Sequence, residues 1–371
     1  MSEFRLKGAH ADCESKEGSL KRKRRKTSLA ANLTMELSIV LVNWNSVDYL
    51  RECLTSIYAQ TRGIDFEVIV VDNASSDGQA RSLKAEFPQV TLIESDHNLG
   101  FAGANNLGFK CSSGEHILFL NPDTKVVGPA ITAMVDQLRL LPDAGIVGCK
   151  LLNSDLSIQT TCIQRFPTIS NQMLDIEALR LRLPHLRFWG IAPLFANPER
   201  PTEVEVVTGA CLMIKRDVFE KVGGFNQEYF MYAEDVDLCY KVHQAGWKGY
   251  YIGDACIIHY GGGSSRQREQ RHWATIMQRK AVLKFFQKTR GRVYAWMFRA
   301  ALGLSAFCRL LVIPSLYVVG KTQREREDLS FAFTKYVAIL GWVVGLERQT
   351  LGLNDSCERR LRRSCAESAE N

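Results

Sequence analysis

The chain has 371 residues, 46% of them hydrophobic, a formal net charge of +7 and 11 cysteines. That length and apolar content hold a sizeable core in one large domain or two ordinary ones. Scattered cysteines with no CxxC or other metal-like spacing argue for a reducing compartment and against a disulfide framework. No recognised nucleic-acid-binding motif follows the basic run "KRKRRK", residues 21–26, so nucleic acid is not the expected partner.

Residues 1–34 lack the apolar stretch of a signal peptide and are expected as a disordered, basic N-terminal extension. Met35 directly precedes the first strand and could be the true start. Residues 35–263 are expected to form one domain. It opens with "LSIVLV", Leu37 to Val42, ending in Asn43-Trp44-Asn45. "VDYLRECLTSIYAQ" follows, with Leu50, Cys53, Leu54 and Ile57 at helical spacing. Next comes "VIVVDNASSDG", in which Val68 to Val71 read as a strand buried on both faces. This is a βαβ unit with a right-handed crossover.

The pattern repeats with "VTLIES", Val90 to Ser95, then "DHNLGFAGANNLGF", then "ILFL", Ile117 to Leu120, ending in Asn121-Pro122-Asp123. In open α/β sheets, ligands bind beyond the carboxyl ends of the strands. Asn43, Asn45, Asp72, Asn73, Asn121 and Asp123 all belong to such ends. Asp72 and Asn73 could instead cap the following helix or close an Asx turn. Three strand ends rich in carboxamide and carboxylate favour a ligand.

The second half of the domain has a strand, "ACLMIKR", a turn, "VGGF", and a helix from about Glu234 to Gly246. Glu234, Asp235 and Asp237 crowd its first turn. The helix dipole favours acids there, but three in four residues exceed that need. Such close like charges raise one another's pKa, as a general base requires.

Seven motifs in order resemble family 2 glycosyltransferases: "SIVLVNWN", "VIVVDNASSDG", "NLGFAGANNLG", "ILFLNPDT", "GACLMIKR" with "GGF", "YAEDVDLCYKVHQAGW" and "HYGGGS". The resemblance covers about residues 36–263 and is closest to the rhamnosyltransferase branch. It implies a GT-A fold: an α/β, Rossmann-like, mostly parallel central sheet flanked by helices. It implies an inverting enzyme that moves a single sugar, rhamnose or similar, from a dTDP- or UDP-linked donor to a polyprenyl-linked or cell-surface glycan. Asp72 then matches the aspartate that contacts the nucleobase, with Asn43, Asn45 and Asn73 beside it. Asn98, Gly100 and Asn105 lie in the loop expected near the sugar and phosphates. Asp123 matches the last position of the family's DxD motif and Asn121 replaces the first, which suits Mg²⁺ or Mn²⁺ held mainly by phosphates. His259 matches a histidine that binds metal in some members; a structural role is equally open. Asp235 matches the catalytic aspartate, and Glu234 would orient it or contact the acceptor. Arg165, in "IQTTCIQRFPT", could reach a phosphate or be a surface arginine.

Beyond Gly263, residues 264–350 are expected as a basic linker followed by amphipathic, apolar helices, and residues 351–371 as a charged tail. Arg299 and Arg309 interrupt the first apolar stretch. Its longest uncharged part, Leu310 to Gly320, is too short to span a bilayer. Peripheral attachment to the inner face of the cell membrane is expected, with a soluble helical subdomain as the alternative and a tilted span with snorkelling arginines as a third. Two rival functions stay open: a non-catalytic nucleotide-sugar-binding scaffold, and a processive synthase. The latter carries QxxRW, which "QREQRHW", Gln267 to Trp273, narrowly misses.

Overall fold

The computed structural model describes residues 35–174, 200–261, 268–319 and 322–346. The expectations for residues 1–34 and 351–371 lie outside the described residues. Strand β1 (Leu37–Asn43), helix α1 (Val47–Gln60) and β2 (Phe66–Asp72) form the first crossover unit. Then follow α2 (Ala80–Glu86), β3 (Thr91–Glu94), α3 (Gly100–Lys110), β4 (His116–Leu120) and β5 (Thr124–Val127). Helix α4 (Ala130–Leu140) leads to β6 (Ala144–Leu152), β7 (Ile163–Gln164) and α5 (Ile169–Leu174). β8 (Thr202–Val204), β9 (Val206–Val207), β10 (Cys211–Lys215), α6 (Arg216–Lys221), α7 (Glu234–Gln244) and β11 (Lys248–His259) complete the catalytic-motif region. Three helices follow: α8 (Arg268–Thr289), α9 (Gly291–Val319) and α10 (Gln323–Val344).

The central sheet has the order β3-β2-β1-β4-β10-β6-β11-β5, with β8 paired to β11. β3, β2, β1 and β4 are parallel, in the register Asn43↔Asp72 and Asp72↔Glu94. β10 runs antiparallel between β4 and β6, and β11 is parallel to β6. Six strands therefore point the same way, as a mostly parallel sheet requires. The ends of β1, β2, β4 and β11 share one edge, and so does the start of β10, because Cys211 pairs with Leu120.

The β-branched runs explain this arrangement. Ile39 and Leu41 of β1 pack under α1 and α4, through Leu50, Leu54, Met134 and Leu138. Val40 points the other way, into a second core with Phe119, Phe219 and Leu238. Alternate side chains of one strand thus fill both faces.

The basic run expected as a linker is, from Arg268, the regular helix α8. Its Phe285 and Phe286 are fully buried, and Phe285 meets Tyr240 of α7 edge-on at 5.5 Å. Helices α9 and α10 add Phe298, Leu302, Ile339 and Trp342 to this same core. The 29-residue α9 is long and apolar enough to cross a bilayer by length and composition, which corrects the expectation drawn from its longest uncharged stretch. Linear order scattered the two arginines through the segment, but the helix gathers them on one side. Arg299 Nε and Nη2 donate to the Val343 and Trp342 carbonyls at 3.0 and 3.1 Å. Arg309 donates to Tyr336 Oη at 3.0 Å and to the Met173 carbonyl at 2.9 Å.

Candidate functional site

The shared edge collects the polar strand ends. Asp72, at the end of β2, is buried. Its Oδ1 accepts from Asn43 Nδ2 at 2.7 Å and Ser75 Oγ at 2.6 Å. Its Oδ2 receives only a 3.4 Å approach from the Ser75 N–H, which leaves acceptor capacity for a further donor. Asn43 in turn accepts from Ser46 Oγ at 3.0 Å. Asn45 sits in the left-handed region, φ 52°, with Oδ1 on the Ser76 N–H at 2.8 Å. Asn43 and Asn45 therefore fix the Asp72 carboxylate and the Ser75-Ser76 turn.

Asn73 has a different task from the one its position suggested. Its side chain bonds Asn98 Oδ1 at 2.9 Å and the Leu99 N–H at 2.8 Å, holding the loop before α3. Asn98 Oδ1 also receives the Gly100 N–H at 2.8 Å. Gly100 has φ +69°, and a Cβ there would stand 2.5 Å from the Phe230 carbonyl oxygen. No other residue fits. Asn105 is corrected outright: it is buried in α3 and donates to its own helix at the Phe101 carbonyl, 3.0 Å. Its neighbour Asn106, which the sequence did not single out, clamps the Phe225 backbone through both amide atoms, at 2.7 and 3.0 Å. Arg165 is exposed just beyond β7.

Beyond β4, His259 Nε2 lies 3.4 Å from Asp123 Oδ1 and 3.4 Å from Asn121 Nδ2. His259 Nδ1 is 2.7 Å from Gln159 Oε1. A carboxamide oxygen only accepts, so His259 Nδ1 donates to Gln159 and the ring is held with Nε2 turned toward the carboxylate. An imidazole nitrogen and a carboxylate oxygen turned toward each other, the ring oriented by an outer-shell amide, suit a shared cation. Among the described residues, no cluster of three or more His, Cys, Asp or Glu could hold a metal alone. Asp123 and His259 would therefore share a divalent cation with oxygen ligands from outside the chain, such as phosphate. Gln159 was not anticipated, since nothing in a sequence links it to a histidine 100 positions later.

The three acids of α7 part company. Asp237 turns to Tyr229 Oη at 3.3 Å and stands 3.7 Å from Lys241 Nζ. Glu234 is buried, and its Oε2 has no hydrogen-bond partner. Asp235 alone of the three is not fully enclosed. Its Oδ2 accepts the Gly209 N–H at 2.8 Å and its Oδ1 the Val236 N–H at 2.8 Å. Gly209 precedes β10, and a β-carbon there would come within 3.2 Å of the Phe101 ring. Burial raises the Asp235 pKa above the ordinary aspartate range. Burial, then the Asp235 charge, raises that of Glu234 further. The expected mutual repulsion is thus secondary; desolvation is the main cause. Tyr232 and Ala233, just before the helix, both have positive φ, 70° and 61°. Backbone strain of this kind clusters at functional sites.

Among relatives, an N-acetylglucosaminyl-diphospho-decaprenol L-rhamnosyltransferase of Mycobacterium tuberculosis is 29% identical over 259 residues, covering 65% of this chain and 81% of that protein. Rhamnosyltransferase WbbL of Escherichia coli is 23% identical, covering 62% and 84%. O-antigen biosynthesis protein RfbC of Myxococcus xanthus is 30% identical over 241 residues, and this chain spans only 18% of its length. Residues 38–223 match the model of glycosyl transferase family 2, and residues 185–346 that of glycosyl transferase family group 2. With half of its length matched in this way, and its strand-end acids set on a GT-A sheet, the chain belongs to glycosyl transferase family 2 and is a glycosyltransferase.

Proposed function

We propose that this enzyme transfers rhamnose, or a similar single sugar, with inversion from a dTDP- or UDP-linked donor to a hydroxyl of a polyprenyl-linked glycan. The observation that carries the chemistry is the separation of the three acids: Glu234 and Asp237 are enclosed, and Asp235 is held at the strand-end rim by the Gly209 N–H. Asp235 is the general base. It takes the acceptor hydroxyl proton as that oxygen bonds to the anomeric carbon and the bond to the diphosphate breaks. Asp72 Oδ2 accepts from the N3–H of the pyrimidine base. Asp123 and His259 would hold Mg²⁺ or Mn²⁺, which when bound would offset charge on the departing diphosphate.

Two relatives named as rhamnosyltransferases, one of them for a decaprenol diphosphate acceptor, support the choice of sugar and acceptor. With a lipid-borne acceptor and a nucleotide-sugar donor, the enzyme works at the inner face of the cell membrane in this reading. The test is a donor panel, with dTDP-rhamnose and UDP-sugars, offered with a polyprenyl-diphosphate-linked N-acetylglucosamine. Product of inverted anomeric configuration is expected. Tight nucleotide-sugar binding without turnover on any donor would make the protein a non-catalytic binder, and a product of retained configuration would remove the single-base mechanism.

A further inference from the structure

We propose that the outer face of α9 is a membrane-docking surface, which lies flat in the headgroup region of an anionic bilayer. The inference rests on the reading above only for the lipid-linked acceptor that docking would serve.

The inner face of α9 has a repeat of buried residues, Ala295, Phe298, Leu302, Ala306 and Ile313, the first four in one core with α8 and α10. The opposite face repeats Val293, Trp296, Leu304, Phe307, Leu311 and Val318, which are 77%, 75%, 66%, 51%, 63% and 81% exposed. From Val293 to Val318 this outer face carries no charge, because Arg299 and Arg309, the only charged residues in that span, bond inward to α10 and α5. At a rise of 1.5 Å per residue it is about 38 Å long. Exposed apolar patches this continuous mark interaction sites.

Two features point to lipid. The helix has the length and apolar composition of a bilayer-embedded segment, yet is mostly unburied in the protein. At its start, Arg290 and Arg292 are exposed, Arg292 one turn before Trp296 on the flank of the stripe. A cation beside an exposed tryptophan at one end of an apolar stripe suits anionic headgroups and the interfacial belt. The inward arginines decide orientation. Arg309 ties α9 to the Met173 carbonyl of α5, and Arg299 ties it to the last turn of α10. A crossing helix would carry both guanidinium groups into hydrocarbon or break these bonds. A flat helix keeps them.

The experiment is flotation of the full-length protein with phosphatidylglycerol–phosphatidylcholine vesicles. Wild type should float and be released by alkaline carbonate. Trp296→Asp/Leu304→Asp/Phe307→Asp should stay in the dense fractions, with melting temperature and nucleotide-sugar affinity unchanged. Leu140→Asp, an exposed control on α4, should float like wild type. Three outcomes would overturn the proposal: the triple variant floating as wild type does, wild type resisting carbonate as a spanning protein does, or wild type ignoring vesicles but forming a dimer that the triple variant dissolves. Transfer to a water-soluble acceptor analogue, measured in parallel, separates this surface from the reading of the reaction. The triple variant should retain that activity and lose transfer to vesicle-borne acceptor by at least tenfold.

Discussion

His259 and Asp123 face each other across 3.4 Å, Nε2 toward carboxylate, with Gln159 bonded to the far side of the imidazole. A diphosphate-bound cation would make ligands of this pair. Activity should therefore vanish in excess chelator and return with Mn²⁺ or Mg²⁺. Asp123→Ala should raise the metal concentration needed for half-maximal rate. Gln159→Leu should raise it by roughly ten- to hundredfold, the usual effect of removing an outer-shell partner. Metal titrations of the rate check each variant, and full wild-type activity in excess EDTA would remove the cation from the scheme.

Asp235→Asn keeps the shape and the Gly209 contact but not the basicity. Transfer should fall by roughly 10²–10⁴-fold, while calorimetry should find donor affinity unchanged. The pH profile carries a sign. The base works only when deprotonated, and burial lifts its pKa, so the acid limb of kcat/KM should lie above the range of an ordinary aspartate. An acid limb at the ordinary position would detach Asp235 from the rate.

Glu234 predicts a stability effect rather than a rate. Its folded-state pKa is well above its unfolded value, so the folded chain keeps a proton that the unfolded chain loses. That stability is fully present below about pH 4.3, the unfolded value, and is lost as pH rises through the folded-state pKa. Across that window, wild type should lose melting temperature relative to Glu234→Gln, which has no such proton. Parallel melting curves at every pH would show that the carboxyl is solvated after all.

Asp72→Asn places an amide N–H where the second carboxylate oxygen meets the base. A hydrogen bond to a charged group contributes about 1.5–3 kcal/mol, so donor affinity should weaken by roughly ten- to hundredfold. The loss should extend to the free nucleoside diphosphate, since the contact is with the base. Equal affinity for nucleotide in both proteins would move the base elsewhere.

Much of this site was legible because it is local. A β-branched run that stops at Asn or Asp shows both the strand and the rim, which is how Asn43, Asp72 and Asn121 were found. Use of a side chain is not local. Asn73 and Asn105 have the right chemistry in the right loop, but the fold commits them to Asn98, Leu99 and the Phe101 carbonyl. Gln159 and Gly209 lie inside the stretches "IQTTCIQRFPT" and "GACLMIKR", but their roles show only through partners 100 and 26 positions away. The arginines of α9 read as interruptions, since composition does not say which face of a helix a charge occupies.

The left-handed pair Tyr232–Ala233 sets a phase. An α-helix turns about 100° per residue, so the residue at which α7 begins decides which of its acids reaches the rim. Val236, Leu238, Cys239 and Val242 fix the same rotation from inside, by burial in the core. Two strained dihedral angles and four buried side chains thus index the helix together, and of its three acids they leave Asp235 at the rim.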